Sequence, residues 1–172
     1  IRQYHAISLG FELQTHEMAT DLYIEEPKEF GFSDYVIVNV SDTWPTRTWK
    51  SSNWQQLINN LNANDIPTVV VGQTNNPDSP ANQLTVNYGA NLINDSTNDS
   101  AQLRWMMQYQ AKAVVTMDSG ILHVAGTTDV PIIQLDSSID PKLRAPVRYN
   151  SQDWNYYLVQ NKCAHCASDL KF

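Results

Sequence analysis

The chain alternates between short runs of β-branched residues and longer stretches in which apolar positions recur every three or four residues. The first run is Tyr35-Val36-Ile37-Val38-Asn39-Val40, nearly continuous in apolar residues, as in a strand buried on both faces. After a polar loop, Trp54, Leu57, Ile58 and Leu61 share one helical face, with Ser52 as the expected cap and Asn64-Asp65 as the stop. Thr68-Val69-Val70-Val71-Gly72 predicts a second buried strand that ends on a glycine. Leu84-Thr85-Val86 is read as a short third strand. Asp99 or Ser100 is placed to cap a helix carrying Leu103, Met106 and Met107. Ala113 to Met117 predicts a fourth strand, Leu122, Val124 and Ala125 a short helix, and Pro131 to Leu135 a fifth strand.

Strand, helix, strand in repetition is the pattern of βαβ units around a parallel sheet. The expected fold class is α/β, a three-layer αβα Rossmann-like parallel sheet. Residues 1–34 show no sustained period and are read as a linker. Residues 35–150 form the expected Rossmann-like domain, and 151–172 are read as a C-terminal tail. Ligands of such sheets bind beyond the carboxyl ends of the strands. The loops there, 41–47, 72–74, 118–123 and 136–138, hold most of the polar chemistry.

Composition narrows the function. Eleven Lys and Arg face eighteen Asp and Glu, a formal net charge of −7, so the chain as a whole repels phosphate. That argues against a general nucleic-acid binder and against a polybasic membrane-surface protein. Any phosphate site must be local. No apolar stretch approaches the ~18 residues of a membrane span. The start, Ile1-Arg2-Gln3, is neither an initiator Met nor a signal peptide, which suggests a fragment or a processed chain. Cys163 and Cys166 sit too close together to staple a fold, and a cytoplasmic setting is expected.

Two segments carry candidate chemistry. In Thr116-Met117-Asp118-Ser119-Gly120-Ile121-Leu122-His123 a buried strand breaks into a turn and a helix begins at once. The first N–H groups of a helix have no partner within it, and the helix dipole is positive at that end. Gly120 lacks the Cβ that would keep a phosphate away. His123, about one turn on, is a candidate donor to a phosphate oxygen. The plainer reading makes Asp118 an N-cap and His123 a packed histidine. In Trp44-Pro45-Thr46-Arg47-Thr48-Trp49-Lys50, Arg47 and Lys50 bring positive charge to the same sheet edge. The plainer reading is a solvated loop with Trp49 plugging the core.

In this order and separation the segments resemble the C-terminal domain of family 9 glycosyltransferases, the lipopolysaccharide heptosyltransferases and their relatives. The resemblance runs through Val36–Val40, Asp42-Thr43, Arg47-Thr48-Trp49, Trp54–Leu61, Val69–Gly72, Asp118-Ser119-Gly120-Ile121-Leu122-His123-Val124-Ala125 and Asp129-Val130-Pro131-Ile132. It implies one half of a GT-B enzyme of lipopolysaccharide biosynthesis, in which two Rossmann-like domains face each other across a cleft. This half would bind a nucleotide-sugar donor, usually ADP-heptose. The other half would hold a glycan or lipid-linked acceptor and supply the general base of an inverting, metal-independent transfer. By position, the resemblance assigns Thr43 and Arg47 to the phosphates. Ser119 and Gly120 would offer backbone N–H groups, with His123 beside them. Asp118 would sit near the sugar–diphosphate junction. Gln73 or Thr74 would lie near the ribose, and Asp99 near the base. No residue of this chain is assigned as a catalytic acid or base, and no cofactor is expected.

The chain departs from the family pattern in places. It has Arg47 where Lys is frequent, an amide or hydroxyl at Gln73 and Thr74 where Glu is frequent, and Asp136-Ser137-Ser138 after the fifth strand. Cys163-Ala164-His165-Cys166 is at most half a metal site, since a closed zinc site wants four ligands. A local disulfide or a pair of free thiols are the other readings. Trp154, Tyr156 and Tyr157 are read as packing residues. Two other function classes fit the fold. One is a sugar-nucleotide epimerase, which needs an acid/base pair in the chain. The other is a non-catalytic nucleotide or sugar-phosphate binding module.

Overall fold

The computed structural model describes residues 29–40, 48–72, 74, 76–93, 99–135, 138–140, 144–146 and 155–159. The β-branched runs form β1 (Tyr35–Asn39), β2 (Thr68–Val71), β4 (Ala111–Thr116) and β5 (Ile132–Leu135). The periodic stretches form α1 (Ser51–Ala63), α2 (Ser100–Tyr109) and the short α3 (Gly120–Ala125). A 3₁₀ turn (Pro80–Gln83), an edge strand β3 (Gly89–Asn91) and a last strand β6 (Tyr156–Val159) complete the described elements.

All six strands are parallel, in the order β3-β2-β1-β4-β5-β6. That is the strand order of dinucleotide-binding doubly wound sheets. The period of two along each strand divides the core. Tyr35, Ile37, Val69, Val71 and Val114 face α2 and α3, where Leu103, Met106, Met107, Leu122 and Ala125 close the layer. Val36, Val38, Val70 and Val115 face α1 and the 3₁₀ turn, with Trp54, Ile58 and Ala81. The expected three-layer αβα architecture is therefore present. Trp49 stands edge-on to Trp54 at 4.9 Å and covers the end of the α1 layer, as the plainer reading of that loop expects.

Four features differ from the sequence-based expectation or add to it. Leu84-Thr85-Val86 is not a strand; the buried Leu84 plugs the α1 side of the core. The third strand is Gly89-Ala90-Asn91, whose small residues give no apolar pattern. Asn62 fixes its approach, donating to the Tyr88 carbonyl at 3.0 Å and accepting from the Tyr88 N–H at 3.1 Å. Helix α1 begins at Ser51 with Lys50 as its N-cap, so Ser52 does not cap it. Within the segment read as a tail, Tyr156–Val159 pairs with β5, and the Tyr156 hydroxyl donates to Gln134 Oε1 at 2.8 Å.

The amino end of β1 is closed by aromatics. Phe30 and Phe32 each stand edge-on to Tyr35 at 5.8 Å. The Tyr35 hydroxyl donates to Gln110 Oε1 at 2.8 Å, and burial pushes its phenol well above the ordinary value. The carboxyl end of β1 is built differently.

Candidate functional site

β1 has β2 on one side and β4 on the other, so the chain's winding reverses between β1 and β4. At such a switch point the loops part and leave a crevice beyond the strand ends. The last residues of the two strands are polar and buried: Asn39 is 4% exposed and Thr116 0%. Burial of such groups is costly unless each is hydrogen-bonded.

Both are, and to each other. Thr116 Oγ1 donates to Asn39 Oδ1 at 2.9 Å. Ser119 Oγ donates to the same oxygen at 2.9 Å, and the two hydroxyls lie 3.2 Å apart. Thr116 Oγ1 also has the Met117 carbonyl at 3.0 Å. Asn39 Nδ2 donates to the Val71 carbonyl at 3.4 Å, a long bond that ties in the end of β2. Gly72 follows at φ +149°, where a Cβ would stand 3.0 Å from the Val40 carbonyl oxygen. A residue with a side chain would be strained there and would push the ends of β1 and β2 apart.

The turn from β4 into α3 runs over this cluster. The N-cap of α3 is Ser119, not Asp118, and Ser119 makes no side-chain capping bond because its hydroxyl points to Asn39. Asp118 is buried, at 3% exposure, and its Oδ2 lies 3.7 Å from Arg144 Nε. The chain around Arg144 is held against α3 by the next turn. A Cβ on Gly126 would meet Pro146 Cβ at 2.2 Å, so the missing side chain is what admits Pro146. Gly120 is exposed, with open space where a Cβ would sit. His123 lies on the exposed side of α3, not packed in the core.

Of the residues singled out in the sequence, Asp118, Ser119, Gly120 and His123 thus stand together at the switch point. Thr74 lies beyond β2, where its hydroxyl accepts from the Asn76 N–H at 3.2 Å. Asp99 lies on the β3 side and caps α2, its Oδ1 accepting from the Gln102 N–H at 2.8 Å. Thr43, Arg47, Gln73, Cys163 and Cys166 fall outside the described residues. Sequence reasoning missed Asn39, Thr116 and Arg144. A polar residue ending a β-branched run is a signal, and Asn39 and Thr116 both carry it. Arg144 carries none, because only the fold brings it to Asp118. Among the described residues no three or more His, Cys, Asp or Glu are grouped to hold a metal ion. No described helix is long and apolar enough to cross a membrane.

Comparison with known proteins agrees with this architecture. The family model for Glycosyltransferase family 9 (heptosyltransferase) matches residues 2–171. No curated protein sequence matches the chain. Among solved structures, the chain is similar to E. coli ADP-heptose LPS heptosyltransferase II, with a TM-score of 0.61 and 17% identity over 81% of this chain and 43% of that one. It is similar to E. coli heptosyltransferase WaaC, solved with ADP, with a TM-score of 0.59 and 22% identity over 77% of this chain and 38% of that one. It is also similar to the iron-containing dodecameric glycosyltransferase TibC of enterotoxigenic E. coli, with a TM-score of 0.58 and 13% identity over 88% of this chain and 37% of that one. The chain spans less than half the length of each of these structures.

Proposed function

The chain belongs to glycosyltransferase family 9, and on that premise we propose that its sheet edge binds the nucleotide-sugar donor of a heptosyltransferase-like transfer. The donor is an ADP-sugar, the substrate class named for the relatives solved with ADP and with ADP-D-beta-D-heptose. The observation that supports this reading is the switch-point cluster. There β1 and β4 end in a hydrogen-bonded joint, and the Asp118-Ser119-Gly120 turn lies over it.

The chemistry follows from where charge develops. As the glycosidic bond to the donor breaks, negative charge grows on the departing diphosphate. Groups already aimed at that position stabilise it without reorganising. The backbone N–H groups of Ser119 and Gly120, with Thr43, Arg47 and His123, take that role. Asp118, its carboxylate beside Arg144, faces the sugar–diphosphate junction. Gln73, Thr74 and Asp99 hold the nucleoside. The transfer is inverting and needs no metal ion. The acceptor, a glycan or lipid-linked sugar, and the base that deprotonates it belong to a second GT-B half. The donor domain is residues 35–150, preceded by the linker 1–34 and extended by β6. The reaction is placed in the cytoplasm.

Calorimetric titration of ADP, UDP and GDP, with and without Mg²⁺, tests the reading. Metal-independent ADP binding is expected, weakened about tenfold in His123→Ala by loss of a hydrogen bond to a charged group. Tighter binding of UDP or GDP would move the donor class. No binding of any nucleotide would overturn the reading.

A further inference from the structure

A hydroxyl has one proton and two lone pairs, whereas an amide oxygen has lone pairs alone. Two hydroxyls, those of Thr116 and Ser119, stand 2.9 Å from Asn39 Oδ1. Oδ1 accepts both bonds only if each hydroxyl turns its proton inward. The amide cannot easily be reversed. Its Nδ2 faces the Val71 carbonyl at 3.4 Å, and a flip would set two acceptor oxygens against each other. Thr116 has a second acceptor in the Met117 carbonyl at 3.0 Å. Ser119 has only Asn39 and Thr116 among the described residues. In every arrangement that satisfies the buried Oδ1 twice, the Ser119 proton lies inside the cluster. Ser119 is only partly buried, and the side of its Oγ turned away from the cluster then carries lone pairs.

Such an oxygen repels a phosphate oxygen and accepts from a hydroxyl. A nucleotide sugar offers both: acceptor-only phosphates and a ring rich in hydroxyl donors. We infer that Asn39 is a positioning residue that fixes the Ser119 hydroxyl as the acceptor for a sugar hydroxyl of the donor. The inference rests on the donor-site reading and adds to it a selection for the sugar over the bare nucleotide. Ser119 then meets the donor with two different groups, its backbone N–H toward phosphate and its side chain toward sugar.

The test titrates the full chain with ADP and with ADP-D-β-D-heptose, and reads the ratio of the two affinities. The unaltered chain prefers the ADP-sugar. Ser119→Ala lowers that ratio about three- to tenfold, the range of one neutral hydrogen bond, while Ser119→Thr keeps it. Asn39→Leu lowers the ratio too, because the Ser119 proton becomes free to turn outward. Should that variant fail to fold, the Ala and Thr pair at Ser119 decides alone. An unchanged ratio in Ser119→Ala, or the same loss in Ser119→Thr as in Ser119→Ala, would overturn the inference and leave the donor site standing. So would an unaltered chain that binds ADP and its sugar equally. An unaltered chain that binds neither ligand would overturn both.

Discussion

The helical segments that follow β1, β2, β3 and β4 all begin at the same edge of the sheet, yet they start in two ways. Away from the switch point, the cap residue serves its own helix. Ser79 accepts from the Ala81 N–H at the 3₁₀ turn after β2, and Asp99 accepts from the Gln102 N–H at α2 after β3. Beside the switch point it does not. Ser119 at α3 turns its hydroxyl to Asn39, and Lys50 at α1 makes no side-chain capping bond. Lysine has no acceptor to offer, and its charge meets the positive end of the helix dipole. Two neighbouring helix starts therefore break the local rule, and they flank the pair of strands where a doubly wound sheet binds ligands. Local rules give way at sites shaped for something other than stability. An anion bound there would supply what these two starts lack.

The comparison can be broken at several points. The largest effect is expected from Asn39→Leu. It takes from the buried Thr116 hydroxyl and the partly buried Ser119 hydroxyl the acceptor they share, leaving Thr116 the Met117 carbonyl alone, and should cost about 2–4 kcal/mol in urea unfolding. A loss under ~1 kcal/mol would mean that the cluster is not the joint between β1 and β4. Asp99→Ala should cost about 1 kcal/mol, the usual value of a side-chain cap. No measurable loss would remove the distinction between the outer starts and the inner ones. The smallest effect has the opposite sign. Lys50→Asp adds a cap and a favourable charge to α1 and should stabilise by roughly 0.5 kcal/mol. The same change should weaken ADP binding in calorimetry. Stabilisation with unchanged ADP binding would separate the α1 start from the donor site.

Much of this layout was legible in the chain. The β-branched runs at β1, β2, β4 and β5 are long enough to stand out, and the apolar faces of α1 and α2 repeat cleanly. The Asp99 cap was readable because capping is local. The Asp-Ser-Gly turn was readable because strand and helix patterns meet there. The third strand was not, since Gly89-Ala90-Asn91 has no period and is held in place by Asn62 and β2. Nor was β6, a four-residue run that becomes a strand only by pairing with β5. The Asn39–Thr116 joint spans 77 residues of sequence, and Arg144 stands by Asp118 in a stretch whose Pro146 packs on Gly126. Contacts of that range are products of the tertiary fold, and no local window contains them.

The parallel order of the sheet also has a consequence for how the chain is made. β1 leaves the ribosome first among the described strands, but its partner β4 is fourth of the six. At roughly 5–20 residues per second, the interval between Asn39 and Thr116 lasts about 4–15 s. Throughout it, one edge of a strand apolar up to its last residue has no native neighbour, and β2 can cover only the other. Pairing over such separations is slow because a long loop must close first. The same central position that makes β1 the turning point of the sheet therefore leaves the nascent chain most exposed to wrong strand pairing while it waits for β4.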